Sequence, residues 1–265
     1  MPSPQGFLIF TLHMKLTLIG AGKLGTQLYN EFIKCPTIEL VQWLDRSANK
    51  ELTSEGIEII TSTNSLKKAD LYLLAINDES IPTVSKLLSA DAFVVHTSGG
   101  TSLTALSAQK RRGVFYPVQT FSSDRVVDFL NLPIGIEASN PEDLKFLNQF
   151  ASLLKARALP LDSTQRKTLH LAAVLVNNFT NHLFTHAAQI CEANQLSFDI
   201  LRPLLSETVD KLNSLSPEKA QTGPAIRRDH KTITEHLEII DNSELKKLYQ
   251  DFTLSIQKHY GNEKL

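Results

Sequence analysis

The chain is poor in cysteine: Cys35 and Cys191 are the two in 265 residues. Two distant cysteines build neither a disulfide framework nor a zinc site, and they fit a reducing, cytoplasmic setting. Net charge is small as well, −1 from 27 basic and 28 acidic side chains. Without a basic excess or a charged tail, nucleic acid is not an expected partner. Long apolar runs are missing. The run at residues 6–12 is too short to span a bilayer, and it lacks the positively charged start and small-residue cleavage site of a secretory signal. No membrane association is expected. Met14 stands directly before the first strand pattern, so residues 1–13 are expected to be a loose extension, or Met14 the functional start. There is no internal repeat and no low-complexity segment. What remains is an ordinary globular composition, 42% hydrophobic and 21% charged, long enough for one large domain or two smaller ones.

Against that plain background one stretch stands out. Residues 15–25 read Lys-Leu-Thr-Leu-Ile-Gly-Ala-Gly-Lys-Leu-Gly. A short apolar run ends in G-x-G-x-x-G, and an amphipathic helical pattern follows at once. Gly20 permits the tight turn out of a strand. Gly22 lets backbone approach a pyrophosphate, and Gly25 lets the helix pack close to the sheet. The N–H groups of the new helix around Lys23 and Leu24, with the positive end of its dipole, suit phosphate. The strand–turn–helix setting makes this a dinucleotide site rather than a chance spacing.

Strands are expected at 16–19, 38–44, 57–60, 71–76, 93–95, 114–116 and 134–137, with a helix at 23–34 ended by Pro36 and another at 141–154. The near-continuous apolar strands at 71–76 and 93–95 suit a parallel sheet buried on both faces. After Asp162 no strand pattern recurs. Helices are expected at 163–191, 198–213, 224–240 and 243–259. The fold class is therefore α/β: an N-terminal Rossmann doubly wound parallel sheet followed by a C-terminal all-helical domain. The expected divisions are 1–13 (extension), 14–160 (nucleotide-binding domain) and 161–265 (helical substrate and dimerisation domain).

Candidate chemistry clusters at the carboxyl ends of the strands. Asp45 lies twenty positions after Gly25, where an acid reads the ribose hydroxyls of NAD. Arg46 and Ser47 follow it directly, and a guanidinium with a hydroxyl suits a 2′-phosphate. NADP is the expected cofactor, with NAD possible, and a solvated turn is the plain alternative. Ala75, Asn77 and Ser98 end two central strands and are candidate cofactor neighbours, although Ser98 and Thr101 are also good caps for a helix at 103–109. On the long helix, Asn177 and Asn181 fall about 20° either side of His170 at α-helical spacing, a polar stripe in need of a partner. His170 is the candidate general acid–base and Asn177 its orienting neighbour. The bland reading is a surface stripe, or a histidine satisfied in the core. His182 and His186 are one turn apart, a possible metal spacing. His170 points away from them and no acid shares their face, so no metal site is expected. Thr222, Gly223, Pro224 and Ala225 make a tight break before a helix start, with Arg227 and Arg228 near enough for an anion.

Several segments resemble a family of two-domain proteins of the DUF 2520 type: G-A-G-K-L-G after a strand, V-V-H-T-S-G, G-V-F-Y-P-V-Q-T-F-S, P-I-G-I-E, H-x-x-A-x-x-x-x-N-N and T-G-P-A. That family joins a Rossmann-like NADP-binding domain to a helical domain of unknown function. Its layout is similar to deazaflavin-linked NADP oxidoreductases, pyrroline-5-carboxylate reductase, ketopantoate reductase and the 6-phosphogluconate dehydrogenase superfamily. The resemblance implies a substrate cleft lined by residues 96–100 and 113–122, Tyr116 and Gln119 among them, and faced by His170, Asn177 and the segment Thr222, Gly223, Pro224 and Ala225; Asn181, from the stripe, is a further candidate substrate contact. It also implies a homodimer through the helical domain. Two positions depart from the pattern. Tyr116-Pro117 stands where His-Pro is expected, and Arg227-Arg228-Asp229 stands for Arg-Gly-Asp. The lysine that β-hydroxyacid dehydrogenases carry four residues before an asparagine is absent, since Lys167 has Leu171 at that offset. The expected function is hydride transfer between a nicotinamide and a small-molecule substrate. A non-catalytic NAD(P)-binding sensor or regulatory protein is the alternative.

Overall fold

A computed structural model describes residues 13–261, and the extension expected at 1–13 falls, but for His13, outside them. Two compact units divide the chain, Met1–Asn178 and Phe179–Leu265. The first is built on one sheet of eight strands: β1 (Met14–Ile19), β2 (Ile38–Leu44), β3 (Glu58–Ile60), β4 (Leu71–Leu74), β5 (Phe93–His96), β6 (Arg111–Pro117), β7 (Pro133–Ala138) and β8 (Arg157–Pro160). Their order is β3-β2-β1-β4-β5-β6-β7-β8, so the winding direction switches between β1 and β4. Both central strands after the switch, β4 and β5, are buried at every position, as continuous apolar runs covered on two faces must be. One face packs Leu28, Phe32, Phe115, Leu147 and Phe150, bringing in α1 (Lys23–Phe32) and α3 (Pro141–Leu153). The opposite face packs Leu44, Leu74, Ile81 and Leu106, with α2 (Ile81–Ser85). Asn140 caps α3 by accepting from the Asp143 N–H, and Pro141 opens its first turn, the residue types that start helices.

Two features differ from the all-parallel expectation. β7 pairs antiparallel with β6, and β8 follows β7 in parallel. No helix lies between β6 and β7 to carry a parallel crossover, so the chain simply turns back. β8 went unanticipated because Arg-Ala-Leu-Pro has neither alternation nor an apolar run.

The second unit is helical: α5 (Thr180–Ala193), α6 (Arg202–Asp210), α7 (Pro217–Ala220), α8 (His230–Ile239) and α9 (Ser243–Tyr260). The start expected at Pro224 is a turn instead. Helix α8 begins at His230, capped by Asp229, whose carboxylate accepts from the Thr232 N–H and hydroxyl. Asp229 can reach back to those orphan donors, whereas residues 224–229 bend through Arg228 at φ +53°. That left-handed backbone favours glycine, and Arg228 adopts it all the same. The uninterrupted helix expected at 163–191 is also corrected. It runs as α4 (Ser163–Ala173), then a π-helical stretch, Val174–Phe179, then α5. A π stretch holds more residues per turn. Angular positions computed for a continuous α-helix therefore do not carry through it. No helix among the described residues is long and apolar enough to cross a membrane.

Candidate active site

A cavity of about 870 Å³ opens at the carboxyl ends of β1, β2 and β4. Its walls include Gly20, Gly22, Asp45, Arg46, Ser47, Ala75 and Asn77, at the switch point where open α/β sheets bind ligands. The glycines divide the work by position. Gly20 has φ +115°, and a Cβ there would lie 2.2 Å from the Ala75 carbonyl oxygen. A Cβ on Gly25 would lie 2.2 Å from the Gly20 carbonyl oxygen, so Gly25 sits behind the cavity wall and sets how closely α1 approaches the turn. Gly22 is the cap of α1 and has nothing within 4 Å of its Cβ position. No side chain caps this helix and no acid occupies its first turn. The N–H groups of Gly22, Lys23 and Leu24 thus face open space, which fits a pyrophosphate. The Trp43 indole N–H donates to the Gly20 carbonyl at 2.9 Å and pins the turn from below.

At the far end of the cavity the Asp45 carboxylate is engaged by its own turn. One oxygen, Oδ1, accepts from the Ser47 N–H at 3.0 Å and from the Ser47 hydroxyl at 2.7 Å. Arg46 is exposed beside it. Thr61, Ser62 and Thr63, at the end of β3, add hydroxyls to this wall. Pattern reading overlooked them because a polar Thr-Ser-Thr stretch looks like any loop.

A second polar group gathers beyond β4, β5 and β6, all within the first unit. His170 Nδ1 lies 3.2 Å from the Tyr116 hydroxyl, their rings nearly perpendicular at 81°. Gly99 makes room for both, since a Cβ there would meet His170 Nδ1 and Tyr116 Cζ at 2.7 Å each. Ser98 does not line the cavity. Its hydroxyl donates to Asp78 Oδ2 at 2.7 Å and accepts from the Gly100 and Thr101 N–H groups. The helix expected at 103–109 is a single 3-10 turn, Leu103–Leu106, capped by Ser102. Burial raises the Tyr116 hydroxyl above its ordinary pKa, with the Arg166 charge partly opposing.

Arg166 is the largest fully buried side chain. It donates to the carbonyls of Ser98 and Gly99 at 3.1 and 2.8 Å and to Glu137 Oε2 at 3.0 and 3.2 Å. Ser163 donates to the other Glu137 oxygen at 2.6 Å. This network, unforeseen in the pattern reading, fastens the start of α4 to the loop beneath His170. His96 is wholly buried in the same wall. Its Nδ1 accepts from the Ser98 N–H at 3.2 Å, and burial, reinforced by Arg166, holds the imidazole down to about 4.

That depressed value makes acid sensitivity an expected property. Between about pH 6.5 and 4 the unfolded chain binds a proton at this position and the folded chain does not. Stability is full above pH 6.5 and falls as pH drops toward 4, by up to about 3 kcal/mol. Urea midpoints measured across that window for the wild type and His96→Asn should converge as pH falls. Parallel curves would refute it.

The remaining candidates are dispersed. Gln119 is exposed and accepts from the Thr120 N–H. Asn177 lies exposed inside the π stretch and Asn181 beyond it, in the second unit. The continuous stripe drawn from His170 is therefore interrupted. Thr222 borders a small apolar cavity of the second unit, about 280 Å³, and Gly223 takes φ +109° nearby. His182 and His186 stand with their Nε2 atoms 3.0 Å apart, and no group of three or more metal-ligating side chains occurs among the described residues.

Residues 132–256 match the family described as a domain of unknown function, DUF2520. A solved Bacteroides fragilis protein, provisionally described as an NADP oxidoreductase, is 36% identical, with a TM-score of 0.82 covering 94% of this chain and 99% of that one. The chain belongs to the DUF2520 family. A Thermotoga maritima protein of solved structure shares 22% identity with it at a TM-score of 0.69, covering 93% and 98% of the two chains. An imine reductase from Bacillus cereus shares 13% at 0.60, covering 94% and 99%. These two more distant likenesses show the fold alone: a Rossmann-like sheet unit followed by a helical one. No curated protein sequence matches this DUF2520 chain.

Proposed function

We propose that this DUF2520 protein is an NADP-dependent oxidoreductase that passes hydride between the nicotinamide and a small substrate. The carrying observation is the cavity at the β1/β4 switch point, with an uncapped, acid-free helix start at one end and Arg46 at the other. The description of the Bacteroides fragilis relative as an NADP oxidoreductase supports the same reading. In this reading Gly20, Gly22, Lys23 and Leu24 hold the pyrophosphate, Gly25 behind them sets how closely α1 approaches the turn, and Ala75 and Asn77 border the nicotinamide end. Arg46 and Ser47 hold the 2′-phosphate. Asp45, its Oδ1 taken up by Ser47, need not oppose that charge. When bound, the nicotinamide would supply the hydride-transfer chemistry. The protein supplies position and a polar group at His170, with Tyr116 beside it and Asn177 and Gln119 of the same unit as candidate substrate contacts.

Binding is tested by thermal unfolding. NADPH at one hundred times its Kd should stabilise the protein by about 2.7 kcal/mol. No shift with any nicotinamide nucleotide would end the proposal. Arg46→Ala should lower the NADPH-to-NADH affinity ratio by about 10–100-fold, the value of a charge-assisted phosphate contact. An unchanged ratio would move the 2′-phosphate elsewhere.

The functional division is placed near residue 160, with 161–265 as the substrate and dimerisation part. Helices α5, α6 and α9 bury no residue, and Ile200, Leu204, Val209 and Leu254 are each at least 60% exposed. Apolar surface on that scale marks an association face, and a second copy of this chain is its occupant. Sedimentation equilibrium should return twice the 29.5 kDa chain mass, and Leu204→Glu with Val209→Glu should return the monomer.

A further inference from the structure

We infer that Tyr116 is a positioning residue: its hydroxyl donates to Nδ1 of His170 and so holds the imidazole as the Nε2–H tautomer, a neutral hydrogen-bond donor for the reacting group of a carbonyl or imine substrate. The inference rests on the oxidoreductase reading and narrows the part His170 plays in it.

Hydrogen-bond bookkeeping decides the direction of the Tyr116–His170 contact. Tyr116 is 8% exposed, and His170 Nδ1 is the partner of its hydroxyl among the described residues. If Nδ1 carried the proton, the tyrosine oxygen would accept and its own buried proton would be stranded, a costly arrangement. With Nδ1 bare, the tyrosine proton is satisfied. The imidazole proton then sits on Nε2, on a partly exposed ring that can reach water or substrate. The Nε2 edge lies over Gly100, where the absent Cβ leaves Nε2 at 3.9 Å and Asp78 Oδ2 at 3.7 Å from that position. Gly99 lets the two rings meet, and Arg166 fixes the Ser98 and Gly99 carbonyls beneath them. Among the described residues, the charged groups shown beside the pair are Asp78, at the Nε2 edge, and Arg166, beneath it through the Ser98 and Gly99 carbonyls.

The chemistry that follows is directional. A neutral Nε2–H cannot take a proton from an alcohol, but it can hydrogen-bond to charge developing on oxygen or nitrogen. Hydride would arrive at the carbon of a C=O or C=N group, the bond's electron pair would move onto the oxygen or nitrogen, and water would supply the proton that completes the reduction. Burial also keeps Tyr116 protonated, which opposes a relay that would leave a tyrosinate and favours a purely orienting role.

The test is the ring nitrogen spectrum of histidine labelled with nitrogen-15, recorded near pH 9 where an ordinary imidazole is neutral. His170→Gln identifies the His170 signals by their loss. The expected wild-type signals are a bare Nδ1 and a protonated Nε2, and in Tyr116→Phe both should move toward a mixture of tautomers while NADPH affinity stays unchanged. A protonated Nδ1 in the wild type, or identical signals in Tyr116→Phe, overturns the inference. The wild-type spectrum alone decides if the variant does not fold. Absence of NADPH binding with the expected tautomer would instead overturn the oxidoreductase reading.

Discussion

Arg166→Met should cost the protein about 3–5 kcal/mol, the loss seen when one partner of a buried ion pair is removed. The side chain is 0% exposed and Glu137 only 13%. Methionine fills much of the volume but leaves the Glu137 charge uncompensated and the Ser98 and Gly99 carbonyls without their donors. In a domain of this size the melting temperature should fall by roughly 10 °C. Arg166→Met combined with Glu137→Gln should lose less than Arg166→Met alone, because no unpaired charge remains. Arg166→Lys should not rescue, since an ammonium cannot span Glu137 and two carbonyls as a guanidinium fork does. A melting temperature within about 2 °C of wild type would mean the pair contributes nothing net.

The glycines at 20 and 22 should fail in opposite ways. Gly20→Ala places a methyl 2.2 Å from a backbone oxygen at φ +115°. Strain of about 1–3 kcal/mol and overpacking of similar size both apply, so the fold itself suffers by about 2–6 kcal/mol. Gly22→Ala meets no atom within 4 Å, and its φ is −70°. Stability should stay within about 1 kcal/mol of wild type, while NADPH loses its close approach to the backbone and the thermal shift disappears. Paired unfolding curves with and without NADPH separate the two outcomes. A Gly22→Ala protein that still binds at full strength would place the pyrophosphate off this turn.

The contrast between these glycines and Arg166 explains what could be read from sequence. The glycine turn is local: strand, turn and helix follow within a dozen residues, and each glycine answers a steric demand of that short path. Asp45, Arg46 and Ser47 were legible for the same reason, being fixed by the end of β2. Arg166 was not. Its partners lie 29 and 67–68 residues away, and an isolated arginine on a helix is by default a surface residue. His170 and Tyr116 were each visible as polar residues in suggestive places, but their contact spans 54 residues and depends on the missing Cβ of Gly99. The π stretch leaves no mark in the sequence, because nothing in Val174–Phe179 breaks the 3.6 periodicity by which a helix is recognised. Asn177 and Asn181 share the His170 face only where that periodicity holds, and the π stretch interrupts it.

The sheet's outer strands have a bearing on how copies of this protein can meet. β3 is three residues long and carries Glu58, and β8 is four residues long and closes with Pro160. Short, charged or proline-ended borders give a passing strand little to zip onto. A continuous sheet running from one molecule into the next is thereby discouraged, along with the fibrous aggregation such continuity invites. The homodimer proposed above would join through helices and leave both sheet borders untouched.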